Sequence, residues 1–169
     1  MAAGYASARH LIARGYRRFG YVGYSGRSDI RARMRYDGLC AALRETGLSF
    51  EAEASSDGQA SVTKGKAQTA DLCARAPGLE VVVFSSDDMA VGGLFLCLGA
   101  GIRVPEDLAL FGFNGLDIGR ELPKPLSTIR SNRFLIGQRA IEVFLADPVR
   151  PGKPSIIDTG FEIFVGATA

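Results

Sequence analysis

The stretch Val81-Val-Val-Phe-Ser-Ser-Asp-Asp-Met-Ala-Val-Gly-Gly-Leu-Phe-Leu-Cys-Leu-Gly-Ala-Gly101 decides the fold. Its first four residues form an unbroken apolar run, as expected of a strand buried on both faces of a parallel sheet. Ser86 or Asp87 then offers a capping oxygen, a helix begins at once around Met89, and Gly99-Ala-Gly101 closes it. Pro105 marks a turn, and Leu108 to Phe113 reads as the next buried strand. Units of the same kind lie upstream. Tyr5, Ala8, Leu11 and Ile12 have helical spacing ended by Gly15; Phe19 to Tyr24 reads as a strand, with a loop through Ser25 to Asp29; Ile30 to Arg44 reads as a helix stopped at Gly47. A weak strand at Phe50 to Ala54 leads into a helix from Ser61 to Ala76. Downstream come a strand at Leu126 to Ile129, an amphipathic helix from Arg133 to Leu145, a Pro/Gly-rich linker at Asp147 to Pro154, and two short strands, Ser155 to Asp158 and Phe161 to Val165. Strands alternating with helices of this length require helical crossovers, hence an α/β fold with a doubly wound, mainly parallel, Rossmann-like sheet. Ligands of such sheets bind at the carboxyl ends of the strands, so the loops after Tyr24, Phe84, Phe113 and Ile129 are the ones to examine.

The chain has 169 residues, 47% hydrophobic and 22% charged, enough for one core of ordinary domain size and too few for a large multidomain enzyme. Its longest apolar stretch, near Met89 to Leu98, is far short of the ~20 residues a membrane span needs, so no membrane partner is expected. The first ten residues lack the charged and apolar segments of a secretory signal, and a cytoplasmic location is expected. Cys40, Cys73 and Cys97 match neither a disulfide framework nor a zinc spacing and read as buried thiols. Residues 1–50 carry nine arginines against three acids, whereas the whole chain is only +2. That asymmetry is most simply a set of solvated helix faces.

Catalytic machinery is not evident. His10 is the one histidine and has no nucleophile motif to partner it. Gly20, Gly23 and Gly26 are spaced GxxGxxG, not GxGxxG, and no GxxxxGK(S/T) occurs. The pair Asp87-Asp88 could hold Mg²⁺, but at a helix start it is read as complementing free amides, with Asp87 as helix cap; no metal or cofactor is expected. At the strand ends there remain Arg35, Ser86, Asn114, Asp117, Ser131 and Arg133. These are donors and acceptors without a nucleophile, a set suited to a small polyhydroxylated or acidic ligand.

Ser86-Asp-Asp-Met-Ala-Val-Gly-Gly93, Gly101-Ile-Arg-Val-Pro-Glu-Asp-Leu108, Gly112-Phe-Asn-Gly115 and Leu126-Ser-Thr-Ile129 resemble the ND-x-MA-x-G, G-x-x-VP-x-D, GFD and LTT motifs of the LacI/GalR repressor family. Leu11 to Gly23 and Arg35-Tyr-Asp-Gly38 look like the same family's upstream segments, so the likeness covers nearly the whole chain. Gly112 to Gly119 and Asp158 to Phe164 are most similar to gluconate-utilisation repressors. The resemblance implies a periplasmic-binding-protein-like lobe that takes a small sugar or sugar-acid effector. It also implies a fragment without the family's helix-turn-helix and first lobe, so that operator DNA is bound only through that absent domain. On this reading residues 1–125 form the second lobe, 126–147 the crossover strand and helix of the missing lobe, and 148–169 a linker and returning strands.

Carried over by motif, the family's effector arginine falls on Arg35, its ND asparagine on Ser86 and its GFD aspartate on Asn114; Ser131 and Arg133 join them as ligand contacts. Two of these positions depart from the pattern. An amide in place of the aspartate repels an anionic effector less, which fits a sugar acid. The resemblance further implies a homodimer whose interface includes Met89, Leu94, Phe95 and Leu98, apolar residues spread around most of one helix. The competing readings are a sugar-binding protein of a transport system and an unrelated α/β enzyme domain.

Overall fold

A computed structural model describes residues 1–24, 29–56, 58–146 and 156–169. The loop expected after Tyr24, from Ser25 to Ser28 and including Gly26, lies outside the described residues, as do the linker expected at Asp147 to Pro154 and Ser155. The chain runs α1 (Ala2–Ala13), β1 (Phe19–Tyr24), α2 (Ile30–Glu45), β2 (Phe50–Ser56), α3 (Val62–Arg75), β3 (Val81–Phe84), α4 (Asp87–Ala100), β4 (Ala109–Asn114), α5 (Asp117–Arg120), β5 (Ser127–Arg130), α6 (Arg133–Ala146) and β6 (Glu162–Phe164). The strands make one sheet in the order β2-β1-β3-β4-β5-β6. All neighbours are parallel except β5 and β6, where Ile129 pairs with Ile163 in an antiparallel register.

The period of two along the central strands divides the core. Val82, Phe84 and Leu110 face the side covered by α3 and α4, with Leu72, Met89, Leu94 and Cys97. Val81, Val83, Ala109, Phe111 and Phe113 face the side covered by α1 and α2, with Leu11, Leu39 and Leu43. Helices on both faces make the sheet doubly wound, as expected. Each fully buried Leu or Phe contributes about 1.5–3 kcal/mol relative to exposure. Within each layer the helix backbones nearly touch. A side chain at Gly4 would strike the Arg35 carbonyl, and one at Gly38 the Met1 carbonyl. On the other face, a side chain at Gly65 would strike Met89 and one at Gly92 the Val62 carbonyl.

Several expectations need correction. The cap of α4 is Ser86, whose Oγ accepts from Met89 N, while Asp87 lies inside the helix with its carboxylate turned away from that role. Residues 156–158 form no strand, and of the two expected at the end only Glu162–Phe164 pairs. The boundary expected at 125 does not separate β5 from the lobe, because Phe113 pairs with Ile129 and the strand continues the same sheet. Residues 166–169 also return to this lobe: Thr168 Oγ1 donates to Leu110 O, and Ala169 is buried. Of the three thiols only Cys97 is fully buried; Cys40 and Cys73 are half-buried.

The expected interface residues divide likewise. Met89 and Leu94 are 1% and 5% exposed, covered by α3 and the sheet, so no partner can reach them without opening the core. Phe95 and Leu98 are 45% and 68% exposed. On α6, Phe134, Ile136, Ile141 and Phe144 are all exposed, while Leu135 is half-buried.

Candidate functional site

The carboxyl ends of β3 and β4, the segment after β2 and the start of α2 surround a cavity of about 550 Å³ lined by Asp29, Arg31, Arg35, Gln59, Ser85, Ser86, Asp88 and Asn114. Its geometry begins with two caps. Asp29 accepts from Ala32 N at 3.0 Å and starts α2, which sets Arg35 one and a half turns in, on the side facing β3. Ser86 starts α4 and is 7% exposed. Its oxygen accepts from Met89 N and keeps a second lone pair, so the hydroxyl can still donate to or accept from a ligand.

Arg35 is half-buried. Its Nη1 donates to Ser85 O at 3.3 Å, and its guanidinium lies over the Phe113 ring, 4.3 Å from the centroid. Burial pulls its proton affinity below the ordinary arginine value, with nearby Asp29 opposing the shift. A guanidinium already stripped of part of its water and backed by an aromatic face is prepared to read paired oxygens. Asn114 sits at the end of β4 with φ 110°, a left-handed conformation that a non-glycine side chain rarely adopts. Such strain costs about 1–3 kcal/mol and persists only where the surroundings fix it.

Arg35, Ser86 and Asn114, expected together, thus line one cavity. Ser131 and Arg133 line a second of about 610 Å³, with Asp117, Arg130 and residues Thr159 to Glu162. The two are joined at one point, where Arg133 Nη2 donates to Asn114 O at 2.9 Å. Arg133 therefore meets the first cavity through backbone. Sequence reasoning missed Asp29, Arg31, Gln59, Ser85 and Asp88 as lining residues. Arg31 is four residues before Arg35 and hence on the same helix face, a spacing that could have found it; Gln59 carried no signal.

Behind the cavity, Asp87 is fully buried. Burial raises its proton affinity above the ordinary carboxylate value, opposed by hydrogen bonds from the Thr128 hydroxyl and the Leu116 and Phe113 amides. Among the described residues no group of three or more metal-ligating side chains occurs, and no helix is long and apolar enough to cross a membrane. The cavity combines two guanidiniums with two carboxylates, Asp29 and Asp88. It offers both cationic donors for an anionic group and acceptors for hydroxyls, with Asp29 close enough to Arg35 to act on its charge.

Residues 8–157 match the family of periplasmic binding protein-like domains. The HTH-type transcriptional regulator GntR of Pseudomonas aeruginosa is 39% identical over 166 residues, which cover 95% of this chain and 47% of that protein. Among solved structures, the transcription regulator GntR from Chromobacterium violaceum superposes with a TM-score of 0.87 at 32% identity, over 98% of this chain and 61% of that one. A LacI family transcriptional regulator from Silicibacter pomeroyi also gives 0.87 at 32% identity, over 99% and 51%. The chain spans about half the length of the curated relatives it matches.

Proposed function

The chain belongs to the family of periplasmic binding protein-like domains, and from that membership we propose that it is the effector-sensing lobe of a LacI/GalR-type transcriptional regulator responding to a sugar acid. The observation that carries the reading is the convergence of Arg35, Ser86 and Asn114 on one cavity at the strand ends. Arg35 pairs the ligand carboxylate, with Arg31 adding to the positive field. Asp29, Asp88 and the Asn114 amide take the hydroxyls. The amide where the family commonly has a carboxylate lowers the repulsion an anion would meet there. The relatives' names support regulation as the output, and none of this requires catalysis. Operator DNA would be engaged by a segment outside this chain, and a preceding lobe would close the other wall of the cleft, in a cytoplasmic homodimer.

Calorimetry of the full-length regulator with gluconate and a panel of neutral sugars tests the assignment. Gluconate is expected to bind and Arg35→Ala to lose about 2–5 kcal/mol, because truncation leaves the carboxylate unpaired. Preference for a neutral sugar, or an Arg35→Ala variant that binds as the wild type does, would refute the role assigned to Arg35. With one wall only, this chain by itself is expected to bind far more weakly.

A further inference from the structure

Asp87 is the first residue of α4, yet its carboxylate serves other elements. Oδ1 accepts from Thr128 Oγ1 on β5 at 2.6 Å, and Oδ2 accepts from Leu116 N, in the loop after β4, also at 2.6 Å. A residue present only to complement its helix dipole would leave its oxygens near the amides of its own first turn. Leu116 is two residues beyond Asn114, whose left-handed backbone is held on its other side by Arg133 Nη2 on the carbonyl. Gly112 completes the arrangement, since a side chain there would occupy the space taken by Asp87 Oδ1 and Leu126. The loop that presents Asn114 is therefore fastened at two points, one of them a buried carboxylate.

We propose that Asp87 is the positioning residue of the Asn114–Leu116 loop: by holding the Leu116 amide it fixes where the Asn114 side chain stands beside Ser86. It touches no ligand and acts through Asn114. Its importance for ligand selection rests on the effector-site reading above, whereas the loop geometry does not depend on it.

Amide hydrogen exchange by NMR on the 169-residue chain tests the geometry without a ligand. In Asp87→Ala the Leu116 amide is expected to exchange about tenfold faster than any general loosening at Val83 and Cys97 explains. Asp87→Asn, which keeps an acceptor oxygen, should recover part of that protection. Leu116→Pro removes the donor while leaving Asp87 in place, at a φ of −69° that proline adopts, and serves if Asp87→Ala does not fold. It should shift the Asn114 side-chain amide resonance while leaving Val83 and Cys97 protected. Leu116 exchange that rises no more than the core references, or an Asn114 resonance unmoved in Leu116→Pro, overturns the proposal. In the full-length regulator, Leu116→Pro should weaken gluconate about tenfold. Unchanged affinity beside a shifted resonance also overturns it. A wild type that takes up no gluconate instead defeats the effector reading, and the exchange data then decide the role of Asp87 alone.

Discussion

The guanidinium of Arg35 rests on the ring of Phe113, 4.3 Å from its centroid, so the cation that faces the cavity is shaped by a residue that does not. Phe113 is 3% exposed and belongs to the layer under α1 and α2. The sheet core and the binding residue are thus in direct contact.

Phe113→Leu should weaken ligand binding severalfold, in keeping with about 0.5–2 kcal/mol for a partly desolvated cation over an aromatic face. In an Arg35→Ala background the same change should cost no further affinity. Additive losses in a double-mutant calorimetric cycle would mean that the ring acts on the ligand by another route.

Gly112→Ala should destabilise the lobe by roughly 1–3 kcal/mol, the usual cost of overpacking a full site. The added methyl has only Asp87 Oδ1 and the Leu126 side chain to displace, and neither is free to move. Urea denaturation with an unaltered slope reads the change, and a midpoint equal to that of the wild type would contradict it.

Asp87 makes stability depend on pH in an unusual direction for a carboxyl group. Its folded proton affinity is raised above the unfolded value of 3.8, chiefly by burial. The stabilisation tied to its protonated form is complete below 3.8 and is lost as pH rises through the folded value. Relative to Asp87→Asn, the wild type should therefore lose ground as pH climbs from 3.8 toward neutrality. Unfolding curves for both proteins across that range check the sign; a gap that stays constant or moves the other way argues that Asp87 is better solvated than its burial indicates.

Self-association should respond to Leu98 and not to Leu94. Leu98→Glu places charge on a residue that is 68% exposed and should shift sedimentation equilibrium toward monomer with the fold intact. Leu94→Glu buries a charge at a position 5% exposed and should unfold the lobe instead. A monomeric wild type at high concentration would remove the basis for an interface on α4.

The strand positions were legible because Val81–Phe84 and Phe19–Tyr24 are apolar runs bounded by turn residues, a signal that needs no tertiary context. The direction of the Asp87 side chain was not. Capping chemistry is local, and Ser86 and Asp87 both satisfy it on paper; only the arrival of Thr128, 41 residues later, draws the carboxylate inward. The same limit explains Met89 and Leu94. An all-round apolar helix declares that something covers it, but which element does so depends on α3 lying close enough for Gly65 to meet Met89. The split between the Arg35 cavity and the Ser131–Arg133 cavity was equally hidden, since neighbouring strand ends predict proximity without saying which wall a side chain joins.

The touching helix backbones also limit what variation this chain tolerates. Gly4, Gly38, Gly65 and Gly92 each face a neighbour's main chain at a distance no other residue type can share. In a saturation library selected only for soluble expression, these four codons should return glycine almost alone, while the exposed face of α6 accepts nearly anything. Enrichment maps would then trace the two helix crossings directly, as blanks in an otherwise permissive surface.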